Sequence, residues 1–191
     1  MEDHELLIRL RRKDERAFLL LVDLHQDRVF NLCFSYLRDI EEAKDTAQEV
    51  FVEVMRSAES FRGQSTISTW IYRIAVNKSL DRLRYLGRDK RSAEEQPHTE
   101  NLHDHASNPQ QVMEEEERRA MLHRAIDSLP ENQKTALILF NFEGLSYQEI
   151  AGVMDTSVSS VESLIFRSKK NLKEVLTLRF AEWLPLTKTK K

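Results

Sequence analysis

Turn-forming residues are scarce, with four glycines and four prolines among 191 residues. Hairpins need such residues at their tips, so a sheet-rich fold is disfavoured and an all-α chain of long helices with few breaks is expected. Cysteine is nearly absent. Cys33 alone can make neither an internal disulfide nor a thiolate metal site, and its apolar surroundings mark it as a small buried hydrophobe. The opening MEDHELLIRLRRKDE lacks the apolar run of a signal peptide or membrane span, so a cytoplasmic protein without membrane insertion is expected. No nucleophile and base pairing, phosphate loop or metal motif is present, which argues against an enzyme, a cofactor or a metal site. The 40% hydrophobic content suits globular folding as one ordinary domain or two small ones.

The formal charge is only −3, but its two signs are segregated. Residues 39–60 carry Asp39, Glu41, Glu42, Asp45, Glu49, Glu53 and Glu59 against Lys44 and Arg56. Residues 62–91 reverse the sign, with Arg62, Arg73, Lys78, Arg82, Arg84, Arg88, Lys90 and Arg91 against Asp81 and Asp89. An acidic helix is thus followed by a basic one. From Ser92 to Glu117 large apolar residues almost vanish, leaving too little to bury to offset the entropy of ordering. This stretch reads as an acidic linker, with Glu114 to Glu117 suited to open the next helix. The chain therefore divides into domains at 1–91 and 118–180, the linker at 92–117 and a tail at 181–191. His98, His103 and His105 lie in the linker, where nothing sets ligand geometry, so solvated histidines are expected rather than a metal site.

Helical periodicity in the first domain runs through Phe18, Leu21, Val22, His25, Val29, Leu32, Cys33 and Tyr36, then Ala43, Ala47, Val50, Phe51, Val54 and Met55, then Ile67, Trp70, Ile71, Ile74, Ala75 and Leu83. Those three stripes make a three-helix core, with a short leading helix around Glu5 to Arg11. In the second domain, Leu122, Ala125, Ile126 and Leu129 form a stripe, and Pro130 suits the first turn of a helix running to Phe142. Ser146 and Glu149 have capping-box spacing, with Leu145 and Ile150 placed as a hydrophobic staple, so a short helix should begin at Tyr147.

A helix-turn-helix follows from that start. Ile150 and Ala151 face inward, Met154 precedes a tight turn, and Val161 and Leu164 face inward from a second helix capped by Thr156 or Ser157. Asp155 stands in the turn where many such motifs have glycine, and aspartate tolerates the left-handed conformation better than most residues. The outward positions Ser159, Ser160, Glu162, Ser163, Phe166 and Arg167 are placed for base-edge contacts. Lys169, Lys170 and Lys173 follow as phosphate-seeking cations.

With both halves in view, the chain resembles the bacterial sigma factors of the extracytoplasmic-function group. The resemblance rests on DTAQEVFVEV (Asp45 to Val54), FRGQSTISTWIYRIAVNKSLDRLR (Phe61 to Arg84), LPENQKTALILFNFEGLSYQEIAGVM (Leu129 to Met154) and SVESLIFRSKKNL (Ser160 to Leu172). It implies two small helical domains, called sigma-2 and sigma-4, and a non-enzymatic factor that directs core RNA polymerase to promoters and helps open them. The implied partners are core RNA polymerase, promoter DNA and an anti-sigma factor, with a monomer when free. A conventional dimeric helix-turn-helix regulator is the alternative.

Residue by residue, the resemblance assigns Asp45, Gln48 and Glu49 to polymerase contact, with Phe51 and Met55 flanking. Asn77 matches a position that meets the minus-10 element, with Lys78, Arg82 and Arg84 as phosphate partners. The loop Phe61 to Thr66, including Arg62, Gly63, Gln64 and Ser65, resembles a specificity loop that pockets a flipped base. Trp70 matches an aromatic of the melting helix and reads equally as core; Ile71 stands where housekeeping relatives carry a second aromatic. That difference implies weaker strand separation and stricter dependence on good promoters. Ser163, Phe166 and Arg167 match minus-35 contacts. Glu162 departs from the Arg or Lys of many relatives, and either accepts from cytosine or caps the helix with Ser159.

Overall fold

The computed structural model describes residues 3–89 and 109–183, with side chains described for 5–88 and 117–178. The linker histidines and the Lys188 to Lys191 cluster lie outside the described residues. Those residues form eight helices and no strand: α1 (Asp3–Arg11), α2 (Glu15–Leu37), α3 (Ile40–Ser57), α4 (Ile67–Asp89), α5 (Pro109–Asp127), α6 (Glu131–Asn141), α7 (Tyr147–Met154) and α8 (Val158–Trp183).

Short polar residues set the helix starts. Asp14 accepts the Arg16 and Ala17 N–H groups at the head of α2, and Asp39 accepts the Glu42 N–H at the head of α3. Between these two helices Arg38 takes the left-handed conformation at φ 55°, which turns the chain sharply. Helices α2, α3 and α4 then bury Leu21, Val29, Leu32, Cys33, Val50, Val54, Ile71 and Ala75, with Leu6, Leu7 and Leu10 of α1 closing one side. Truncating a residue as enclosed as Leu32 to alanine costs about 2–5 kcal/mol. Burial also pushes the Cys33 thiol up to about 11, consistent with a packing role.

The second half begins earlier than the linker composition suggests, because α5 starts at Pro109 and Glu114–Glu117 lie inside it. Proline lacks only an N–H that a first turn leaves unpaired, so it suits that position. Pro130 is the residue before α6, one position outside the helix. The capping box forms as expected: the Glu149 N–H donates to Ser146 Oγ, and the Ser146 N–H donates to the Glu149 carboxylate at 2.8 Å. The Ser146 hydroxyl, which donates to the same carboxylate at 2.7 Å, and the Ser146 N–H hold the Glu149 carboxyl below its usual range. Asp155 closes α7 in the left-handed conformation at φ 52°. Ser157 caps α8, accepting the Ser160 N–H.

The two halves pack against each other. Buried residues of α6 and α7, among them Ile138, Leu139, Ile150 and Val153, belong to the same continuous core as α2 and α4. A smaller cluster of Ile126, Leu129 and Leu137 is covered by Leu172 of α8.

Candidate polymerase and promoter interfaces

The outward side of α3 carries Asp45, Gln48, Glu49 and Val52, all exposed, at the i, i+3, i+4, i+7 positions of one helical face. Phe51 does not share that face. It is only 9% exposed and belongs to the core, while Val52 is 48% exposed; Met55 is half-buried. Phe51 is six positions from Asp45, which turns it to another side of the helix from the Asp45, Gln48 and Glu49 stripe it was expected to flank.

The basic residues of α4 split between two edges. Along one, Arg82 makes a two-pronged pair with Glu42 and Lys78 lies 3.6 Å from Glu49, so the acidic helix neutralises its basic neighbour. Glu42 holds the Arg82 guanidinium still more firmly in its charged form. The other edge presents Arg73, Asn77 and Arg84 to the second half of the molecule. There Arg84 donates to both oxygens of Glu131 at 2.8 and 3.0 Å, and Arg73 donates to the Gly152 carbonyl at 2.5 Å, 3.8 Å from the Asp155 carboxylate. Asn77 opens into a cleft of about 520 Å³ between α4 and the α6–α7 pair. Lys78 and Asn77, adjacent in sequence, therefore face different neighbours.

Further contacts join the halves. Arg38 makes a bidentate pair with Asp127 at 2.5 and 3.2 Å. Asp127 also takes Lys134 at 2.6 Å, whose ammonium stands 5.9 Å from the centre of the buried Tyr36 ring. At Gly152 an added Cβ would lie 3.0 Å from the Thr69 methyl group. Ala151, expected to face inward, is buried within the core, and the close approach to α4 falls one residue later, at Gly152. A glycine inside a short helix costs about 1 kcal/mol relative to alanine, and that cost was the available signal.

The loop 61–66 presents Arg62, Gly63 and Gln64 to solvent, with Ser65 half-buried. Trp70 does not stand free: its ring stacks on Phe61 at 4.4 Å between centres and 11° between planes. In the helix-turn-helix, Val161 is fully buried and Ile165, rather than Leu164, is the deeper second contact at 2% exposed. Ser159, Glu162, Ser163, Arg167, Lys169 and Lys170 are exposed, Ser160 half so, and Phe166 is 70% exposed. Because Ser157 makes the cap with Ser160, Glu162 is left on the outer face.

Comparison with known proteins gives this geometry its context. The family model described as sigma-70 region 2 matches residues 21–89, and that described as sigma-70, region 4 matches residues 119–172. The chain is 38% identical over 183 residues to the RNA polymerase sigma-H factor of Pseudomonas aeruginosa, covering 92% of this chain and 94% of that one. It is 38% identical over 176 residues to the ECF RNA polymerase sigma-E factor of Escherichia coli, covering 89% and 92%. Among solved structures, CnrH in complex with the cytosolic domain of CnrY matches with a TM-score of 0.67 at 22% identity, over 92% of this chain and 97% of that one. The sigma factor RpoE of Bartonella quintana, solved with the anti-sigma factor NepR, matches with a TM-score of 0.61 at 20% identity, over 84% and 96%. Those two likenesses show the fold. Matching of both halves in order excludes the reading as a conventional dimeric regulator, and this chain belongs to the sigma-70 family as an extracytoplasmic-function sigma factor, a non-enzymatic subunit that directs RNA polymerase to promoters.

Proposed function

We propose that the work of this sigma factor is divided among four surfaces of the chain. Asp45, Gln48, Glu49 and Val52 on α3 hold core RNA polymerase. Loop 61–66 meets the minus-10 element together with Asn77, while Lys78, Arg82 and Arg84 serve the phosphates. The outer face of α8, with Ser163, Phe166 and Arg167 central and Lys169 and Lys170 beside them, reads the minus-35 element. The linker follows the polymerase's RNA path. The observation that carries this division is the single exposed stripe on α3, where carboxylates, an amide and an apolar group stand together at helical spacing.

In the docked form the cations of α4 are engaged by carboxylates or carbonyls, and Asn77 faces the second half. A helix that reads DNA must be bare on the side it presents, so reading by Asn77 and Arg84 requires the halves to part, whereas Lys78 and Arg82 are held by α3 of their own half and must exchange Glu49 and Glu42 for phosphate. Polymerase, by taking hold of α3 and the second half separately, supplies a reason for them to do so. An anti-sigma partner is supported by the two solved relatives, each held by another protein. The free chain is a monomer acting in the cytoplasm, where polymerase and promoters are; among the described residues no helix is long and apolar enough to cross a membrane.

The test is binding to core polymerase. Asp45→Lys and Glu49→Lys should each weaken it roughly tenfold or more by reversing the charge offered to the contact, with thermal melting of the free chain little changed for the exposed Asp45 and slightly lowered for Glu49, whose replacement sets a second ammonium beside Lys78. Unchanged affinity in both folded variants would remove α3 from the polymerase interface.

A further inference from the structure

Helix α1 lies before the segment matched by either family model, yet it reaches loop 61–66 at two points. Arg11 Nη2 donates to the Phe61 carbonyl at 2.5 Å. The Leu7 side chain stands under Gly63, 3.9 Å from where a Cβ would be, and Gly63 holds a φ of 71° that other residues rarely adopt. Beside these, Lys13 lies 3.4 Å from Glu59 just before the loop. α1 is itself anchored, with Leu6, Leu7 and Leu10 buried and Arg9 bonded to the Asp14 cap of α2 at 2.8 Å.

The loop is also fixed from α4. Phe61 stacks on Trp70, and Thr66 caps the helix, its hydroxyl accepting the Thr69 N–H at 3.1 Å. Both ends and the middle of the loop are thereby tied to rigid helices, while Arg62 and Gln64 remain outward. A short loop pinned in this way has few conformations, and side chains on it are held at one spacing from any base they meet.

We propose that α1 is a positioning element for promoter recognition, in which Arg11, through the Phe61 carbonyl, sets how sharply loop 61–66 discriminates bases of the minus-10 element without touching DNA. The proposal rests on the reading of that loop as the segment that meets the minus-10 element. Arg11 holds the entry to the loop, Leu7 supports the glycine at its bend, and the Phe61–Trp70 stack clamps the opposite side. Loss of the Arg11 bond frees the loop entry while leaving the buried part of α1 in place. Discrimination between bases should then fall, because several loop positions become accessible and each suits a different base.

The experiment uses the full chain with core polymerase and measures run-off transcription across a promoter set with every single-base change in the minus-10 element. In Arg11→Ala the ratio between the preferred base and its substitutes should fall about three- to tenfold, part of what one base contact carries. Arg11→Lys, which retains one donor for the same carbonyl, should restore much of the ratio. Arg12→Ala, an equal charge change beside it, should behave as the parent chain, and melting temperatures should agree across the set. A uniform loss on all promoters with the base profile intact would overturn the role of Arg11. Gln64→Ala separates the two layers: a changed profile there with an unchanged one in Arg11→Ala removes only the brace, whereas unchanged profiles in both remove the loop assignment and the brace with it.

Discussion

Glu143, in the turn after α6, shows how one side chain is set by its surroundings. Burial raises its carboxyl above the ordinary range, and the nearby Arg28 guanidinium only partly opposes that shift. A carboxylate whose folded pKa is raised favours the folded state while protonated, and that contribution is lost as the pH rises through the folded value. At neutral pH the ionised Glu143 is therefore a net burden. Glu143→Gln should raise the melting temperature at pH 7, and the gain should shrink to nothing below the usual glutamate pKa, where both chains are neutral at this position. Thermal melting from pH 4 to 8 checks it; a lower melting temperature for the variant at pH 7 would mean that attraction to Arg28 outweighs burial. Nothing in the sequence around Glu143 marks it, since its burial is a product of tertiary packing and the opposing Arg28 lies on α2, distant along the chain. Asp155 is the opposite case, because its left-handed backbone was legible from the turn position alone.

Among the helices, local signals were the readable ones. Ser146 and Glu149 predict the start of α7 to the residue, since capping depends on neighbours three positions apart. The beginning of α5 was not legible, because residues 109–117 show no apolar stripe to announce a helix. On α3 the stripe of buried residues was visible, but which side chains share its outer face depends on helical phase, so Phe51, expected to flank that face, lies in the core while Val52 is exposed. The two helices assigned to DNA should be separable by the step they serve. With the minus-35 role proposed for α8, Arg167→Ala should remove a contact to intact duplex, costing roughly 1–3 kcal/mol for a bidentate pair with guanine, and promoter capture should fall. With the minus-10 role proposed for α4, Asn77→Ala should lose contacts that depend on unstacked bases, so opening should suffer more than capture. Run-off transcription on duplex and artificially bubbled promoters, with permanganate footprinting of thymines, distinguishes them. A pre-melted template should rescue Asn77→Ala far more than Arg167→Ala, and equal rescue would move the melting function elsewhere in the chain.

At the scale of the whole molecule, two domains were foreseeable from composition, but their docking was not. It depends on Arg38 meeting Asp127, Arg84 meeting Glu131 and Gly152 meeting Thr69, pairings between residues far apart in sequence. Exposed ion pairs contribute little each, commonly below about 1 kcal/mol, so the apolar seam and its close approach should dominate. Gly152 is the sharpest probe of that seam. Gly152→Ala would favour α7 itself by about 1 kcal/mol through helix propensity. It would also set a methyl 3.0 Å from the Thr69 methyl, which cannot easily turn away because the Thr69 hydroxyl is bonded to Thr66 at 2.8 Å. Overpacking of this kind costs about 1–3 kcal/mol, so the seam should loosen while the helix-turn-helix remains intact. Energy transfer between dyes on α3 and α8 of the free chain should drop in Gly152→Ala, and binding of single-stranded minus-10 DNA to the free chain should rise. Thr69→Ser removes the opposing methyl and keeps the hydroxyl; added to Gly152→Ala it should return both readouts toward the parent values. Unchanged transfer in Gly152→Ala would mean that Thr69 yields, whereas lost transfer without a gain in DNA binding would mean that docking of the halves is not what keeps α4 from its promoter.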